Sequence, residues 1–308
     1  MWWYADHMAQ MGRAVRRCYS VEAELAIVAL VLLAWHAVRI PLEGGVGVSL
    51  GHAADVLRLE SMLNVDVESW VIGHVASTDA ETVLEWLYAN MHLPVLFGFI
   101  ATARMLTPAR YPAIRTTFIV SFLPAVLVIG LFPLAPPHWL PQYGVGFPPT
   151  DSELTATTGA MFHNVTAAAA SQHFGFAAFL AATAIWLFPR SVLAWTTILY
   201  PALVFVIIVG TGNHYVLDCV VGTLTFVIAG MVAYFVHRPI PPKRIQPQLS
   251  GVAAVATGYA LITWGFVSLE LTRLTAWHLV PDALALLGGV ALIVAPRLAA
   301  KEALAETS

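Results

Sequence analysis

Long stretches without a charged side chain recur along this 308-residue sequence and constrain it more than any other feature; 116–135 and 191–211 contain no Asp, Glu, Lys or Arg at all. The core of a bilayer has no water to satisfy free backbone groups, so a chain crosses it as helices of roughly 20 mostly apolar residues. Further stretches of this kind place crossings near 21–38, 83–106, 173–189, 215–236, 252–269 and 280–296, about eight in total. Composition agrees: 59% of residues are hydrophobic and 11% charged, against about 25% charged in an ordinary soluble domain. The expected fold is an all-α polytopic membrane protein.

Charge sets the expected orientation. With a cytoplasmic N-terminus, 12 of the 15 Lys and Arg fall inside: Arg13, Arg16, Arg17, Arg104, Arg110, Arg115, Arg190, Arg238, Lys243, Arg244, Arg297 and Lys301. Arg39, Arg58 and Arg273 fall outside. That asymmetry is what the positive-inside rule requires, and the reverse orientation violates it at nearly every loop. The expectation is a multi-pass protein of a bacterial-type inner (plasma) membrane with both termini cytoplasmic. The run Leu25–Val38 behind Arg13, Arg16 and Arg17 has no small-x-small cleavage pattern and reads as an uncleaved first helix. A net charge of −3 with scattered basic residues offers no face for nucleic acid. Cys18 and Cys219 fall on opposite sides in this topology and can neither bridge nor share a metal.

The pattern divides the chain into a cytoplasmic segment 1–20, a membrane core 21–236, a cytoplasmic linker 237–250 with the helix-breaking Pro239, Pro241 and Pro242, and a C-terminal hairpin 251–308. Within the core, 52–77 interleaves Val56, Leu57, Leu63, Val67 and Val71 with Asp55, Arg58, Glu60, Asp66 and Glu68, which reads as amphipathic helices at the outer interface. Gly44, Gly45 and Gly47 read as a flexible turn, since no Lys-Ser/Thr pair makes them a phosphate loop. Trp2, Trp3, Trp139 and Trp277 read as interfacial anchors.

Two polar clusters interrupt the apolar pattern. Gly210-Thr211-Gly212-Asn213-His214-Tyr215-Val216-Leu217-Asp218 lies at the outer end of a crossing. On one helix, His214 and Asp218 would share a face, where the carboxylate fixes the imidazole tautomer and stabilises its cation. The second cluster runs from Asn164 to Ser171-Gln172-His173 and enters the next crossing from the same side. Between the histidines lie one crossing in, a turn at Pro189-Arg190 and one crossing out, so antiparallel neighbours would bring both rings together. One imidazole could then attack phosphorus while the other protonates the leaving oxygen. Ionisable groups near hydrocarbon are costly, which favours a functional reading of all of them.

Ser171-Gln172-His173 followed by His214-Tyr215-Val216-Leu217-Asp218 resembles the type 2 phosphatidic acid phosphatase superfamily, most closely its inositolphosphotransferase-like and sphingolipid-synthase-like branch. Leu59-Glu60, Leu87-Tyr88, His92 with Pro94, Phe132-Pro133-Leu134-Ala135-Pro136-Pro137 and Asn164 support the resemblance, which covers about 55–235. It implies a six-helix phosphatidic-acid-phosphatase-like core, with His214 phosphorylated, Asp218 orienting it, His173 as general acid and Ser171 binding phosphate, without a metal or other cofactor. Asn164, His138, Gln172, Tyr215 and His92 complete the candidate substrate-binding set. Three positions depart from the superfamily pattern: Ala170 for a proline, Gln172 for a small or apolar residue, and Ile208 where the lipid phosphatases carry arginine. With Arg104, Arg110 and Arg115 on the inner side, the phosphate contact must come from Arg39, Arg58, Arg273, His52, His74, His138 or His163, of which His138 is preferred.

The expected function is a lipid phosphotransferase or phosphatase acting on a phospholipid or polyprenyl phosphate, with transfer of inositol phosphate the first activity to try. The alternative is a proton-coupled lipid or small-molecule transporter; a haem or quinone carrier would leave Ser171 and Asp218 without a role.

Overall fold

The computed structural model describes residues 21–42, 44–65, 67–75, 79–143 and 166–237. The segment 1–20, the linker, the C-terminal hairpin with its two crossings, Asn164, His163, Arg273, Cys18, Trp2, Trp3 and Trp277 lie outside them. The described residues are helical, with an isolated parallel bridge between Leu134 and Ala167. The helices are α1 (Val21–Arg39), α2 (Val46–Leu63), α3 (Glu68–Val75), α4 (Asp79–Asn90), α5 (His92–Leu106), α6 (Tyr111–Leu131), α7 (Gln172–Leu187), α8 (Val192–Thr196), α9 (Leu199–Gly210) and α10 (Val216–His237).

Four spans are long and apolar enough to cross a membrane: Val21–Arg39, Tyr111–Leu131, Val192–Gly210 and Val216–His237. A fifth is gained if α4 and α5, bent by 44°, form one span. The chain is a membrane protein. The bend interrupts the crossing expected at 83–106, and Pro94 explains it: proline lacks an N–H and its ring clashes with the carbonyl four residues earlier, which here belongs to Asn90. Pro201 acts in the same way on Thr197, where α8 gives way to α9. α7 is apolar but has 16 residues, about 24 Å of helix against a hydrocarbon core of about 30 Å.

The chain forms two compact units. In one, which includes the start of α1 and most of α5, Glu24 is buried and accepts the Tyr111 hydroxyl at 3.2 Å, with the Arg104 guanidinium 5.8 Å from the Tyr111 ring centre. The other comprises the described parts of Ala34–His92 and Pro112–Pro241 and holds all the described candidate site residues.

In this second unit α7 packs against α10 and α9, and α9 against α3 and α4. Glycine permits the closest approach. A Cβ on Gly222 would lie 2.1 Å from the Ser171 carbonyl oxygen, and one on Gly175 2.4 Å from the Gly222 oxygen, so the α7–α10 crossing tolerates no side chain at either position. One apolar cluster joins Ala53 and Val56 of α2 and Ile72 of α3 to Leu134, Ala135, Trp139, Leu140, Ala168, Ala169 and Tyr215. Trp139 is thus a core residue, 2% exposed, rather than an interfacial anchor.

The amphipathic segment is helical, with Ala53, Val56 and Ile72 buried. α2 and α3 expose Leu59, Met62, Leu63 and Trp70 while Glu60 and Glu68 are fully buried; of the charged residues, Asp55 and Arg58 form an exposed pair at 3.6 Å. Gly44, read as part of a flexible turn, is packed against Pro133 and donates its N–H to Thr166 Oγ1 at 3.0 Å.

Candidate active site

Ser171 is the N-cap of α7. Its Oγ accepts the Phe174 N–H at 3.3 Å, which leaves its hydroxyl hydrogen to be donated elsewhere. His173 follows in the first turn, with its ring 4.9 Å from Tyr88, 4.6 Å from His92 and 6.1 Å from His214, centre to centre. The Ser171 N–H donates to the Asp218 carbonyl oxygen at 3.2 Å, tying the start of α7 to α10.

His214 does not share a helix face with Asp218. It stands in the loop two residues before α10, and its backbone N–H donates to the Ile208 carbonyl at 3.1 Å. Asp218 reaches back from the third position of α10: its Oδ2 accepts the Tyr215 N–H at 2.9 Å, as the acidic half of a capping box does, and lies 3.5 Å from His214 Nδ1. The Ala168 carbonyl is nearer to the same nitrogen, at 3.1 Å. Both neighbours of Nδ1 are acceptors, so Nδ1 carries the hydrogen and the neutral ring has its lone pair on Nε2. Ala168 contributes to the site through its backbone carbonyl, which no sequence pattern could reveal.

The Phe132–Pro137 stretch supports this arrangement. The Leu134 N–H donates to the Thr166 carbonyl at 2.7 Å and its carbonyl accepts the Ala168 N–H at 3.4 Å, which fixes the segment carrying the Ala168 oxygen. His138 Nδ1 and the His138 backbone N–H both meet the Gly212 carbonyl at 3.0 Å. Gly212 has φ +67°, and a Cβ there would sit 3.0 Å from His138 Cβ, so glycine is required on both counts. Burial holds His138 below the ordinary histidine range, so near neutral pH it is an uncharged brace for the His214 loop.

Other candidates are placed as follows. Tyr215 is fully buried and its hydroxyl donates to the Ala135 carbonyl at 3.0 Å. Gln172 donates to Thr225 Oγ1 of α10 at 3.2 Å. His92 lies edge-on to His173 and Phe176. His52 meets the Pro133 carbonyl at 2.8 Å and stacks on Phe132. Of the candidate phosphate-contacting cations, Arg58 pairs with Asp55 on the surface. Arg39 is partly buried, 5.7 Å from the Trp35 ring centre, hydrogen-bonded to His36 at 2.9 Å, and within electrostatic range of the Tyr88 hydroxyl. Among the described residues no cluster of His, Cys, Asp and Glu could hold a metal ion.

A family model for the PAP2 superfamily matches residues 54–232, more than half of the 308-residue chain. The chain belongs to the PAP2 superfamily. Members are typically phosphatases or phosphotransferases, and the match spans every residue from Glu60 to Asp218 discussed above. No curated protein and no solved structure matches the chain significantly.

Proposed function

We propose that this PAP2 protein is a membrane lipid phosphotransferase or phosphatase that works through a phosphohistidine on His214. The convergence of the His173 and His214 rings, 6.1 Å apart from separate elements, carries the reading. A nucleophile waits roughly 3–3.5 Å from the atom it attacks, and an acid about 2.6–3.2 Å from the oxygen it protonates. One phosphoryl group with its leaving oxygen fills that interval.

His214 Nε2 forms a bond to phosphorus as the bond from phosphorus to the leaving alcohol breaks, and the His173 imidazolium gives its proton to that alcohol oxygen. Asp218 and the Ala168 carbonyl stabilise the positive charge that develops on the His214 ring. Neutral His173 then takes a proton from water or a second alcohol, whose oxygen attacks phosphorus and releases His214. The phosphoryl oxygens meet the positive end of α7, the Ser171 hydroxyl and the Arg39 guanidinium.

A lipid substrate is favoured because α2 and α3, whose Glu60 and Glu68 reach the His214 loop, turn Met62, Leu63 and Trp70 outward. Such a surface suits a substrate that arrives laterally from the bilayer. Transfer of inositol phosphate between lipids is the first activity to test.

Purified protein in detergent, given radiolabelled phospholipids and polyprenyl phosphates, should turn over at least one of them and trap label in an acid-labile linkage. His214→Ala should lose both trapping and turnover, with a fall of at least about 10³-fold. A purified variant that still turns over rules out the mechanism. Wild-type protein that moves lipid in vesicles but is inert toward every substrate in detergent is a transporter instead.

A further inference from the structure

Two buried carboxyl groups have no part in the chemistry above. Glu60 of α2 and Glu68 of α3 are both fully buried, and each reaches across more than 140 positions of sequence to the start of α10. Glu60 Oε1 accepts the Leu217 N–H at 2.9 Å and Glu68 Oε1 accepts the Val216 N–H at 2.5 Å. With Asp218 on the Tyr215 N–H, three carboxyl groups from three helices take three successive N–H groups immediately after His214. The remaining oxygens, Oε2 of Glu60 and Oε2 of Glu68, are buried as well, and the two side chains lie within electrostatic range of each other. Two buried carboxylate charges this close repel each other, and a proton shared between them removes the repulsion.

We propose that Glu60 and Glu68 are a proton-sharing pair that positions His214, clamping the first turn of α10 and releasing it when the shared proton is lost. The inference rests on the phosphoryl-transfer reading of His214. A single site on one helix would need only one carboxylate to cap it. Here a pair from two helices fixes the loop in two directions, and the second carboxyl is tolerable only while protonated.

The groups facing Glu60 are Glu68 of α3 and Asp218 of α10; Cys219 of α10 faces all three carboxyls, and His214 contacts Asp218 from the loop. None of these supplies a fixed positive charge. Burial, together with the neighbouring carboxylates, pushes Glu60 up to about 8 against the Leu217 N–H, which acts in the opposite direction. The folded form therefore binds a proton that the unfolded chain has already lost between about pH 4.5 and 8. Folding stability falls as pH rises through that window, and it levels off above it. Loss of the proton places a further negative charge beside Asp218 and repels the pair apart, so turnover falls on the alkaline side as the His214 loop loosens.

Glu60→Gln, Glu60→Ala and wild type in detergent separate the possibilities, read by turnover against pH, thermal melting against pH, and hydrogen exchange of the peptide containing Val216 and Leu217. The glutamine can still accept the Leu217 N–H and, like the protonated acid, carries no charge at any pH. It should retain most neutral-pH turnover, abolish the alkaline fall, and flatten the dependence of melting temperature on pH. Glu60→Ala should speed exchange at Val216 and Leu217 at least about tenfold and lower kcat by about 10²-fold with a smaller change in KM, since misplacement of about 1 Å has that effect. If Glu60→Gln leaves the alkaline limb and the melting profile where wild type has them, or if exchange is unmoved in Glu60→Ala, the proposal is overturned. Should the wild type itself show no turnover, the phosphoryl-transfer reading fails, while exchange and melting still decide whether the pair is a proton-sharing clamp.

Discussion

The site is made where two helix N-termini meet, and the two are built in opposite ways. α7 starts with a neutral cap: Ser171 Oγ takes one N–H, and His173 stands within the first turn. α10 starts with three carboxyl groups on three successive N–H groups, and its histidine stands outside the helix. Helix N-termini attract anions, but an end already saturated with carboxyls has little left for a phosphate. In the phosphohistidine mechanism proposed above, the difference divides the labour: α7 keeps its positive end for the phosphoryl oxygens, while α10 uses its own to fix the nucleophile. It also reconciles a buried acidic cluster with the proposed anionic substrate, since each of the three carboxyl groups accepts a backbone N–H.

The comparison depends on the two ends being held in contact, so the largest break comes from separating them. Gly222→Ala puts a methyl carbon about where the Ser171 carbonyl oxygen stands, at 2.1 Å. Neither backbone can yield without moving its histidine. We expect a loss of about 1–3 kcal/mol of stability, as for overpacking elsewhere, and a fall of at least about 10²-fold in kcat. Melting temperature and turnover of the purified variant check both; normal turnover would show that the α7–α10 contact is dispensable.

Asp218→Asn sharpens the account of the α10 end. Where a carboxylate alone sets a histidine's tautomer, its amide replacement lowers kcat by about 10⁴-fold. Here the Ala168 carbonyl holds Nδ1–H as well, and an amide oxygen can still accept the Tyr215 N–H. The tautomer should survive and only charge stabilisation is lost, so the expected fall in kcat is about 10²-fold. A loss of 10⁴-fold would mean that Ala168 does not hold the ring.

What the sequence revealed follows from what each residue type can encode. The crossings expected at 21–38, 116–135, 191–211 and 215–236 were legible because a bilayer demands uninterrupted apolar length, and the convergence of His173 with His214 followed from one helix in and one out. The spacing of His214 and Asp218 was ambiguous, because four residues apart describes equally a shared helix face and a histidine just outside a helix with an acid at its third position. The burial of Glu60 and Glu68 was not legible for a different reason: an amphipathic pattern does not say which face is covered, and here Met62, Leu63 and Trp70 turn out while the two acids turn in. The Ala168 carbonyl had no signature at all, since alanine says nothing about what its backbone oxygen will hold. The bend at Met91 could have been read from Pro94.

The smallest effect expected is at the neutral cap. Ser171→Ala removes the acceptor of the Phe174 N–H from a fully buried position. Loss of an N-cap costs about 1 kcal/mol, a small lowering of the melting temperature beside that of Gly222→Ala. If the hydroxyl hydrogen is also donated to a phosphoryl oxygen, kcat/KM should fall by a further tenfold or so, the worth of a hydrogen bond to a charged group. The two effects separate experimentally, because the first appears without substrate and the second in kinetics well below the melting temperature. A variant that melts lower yet keeps its full kcat/KM would assign Ser171 to the cap alone, leaving the positive end of α7 and Arg39 to hold the phosphate.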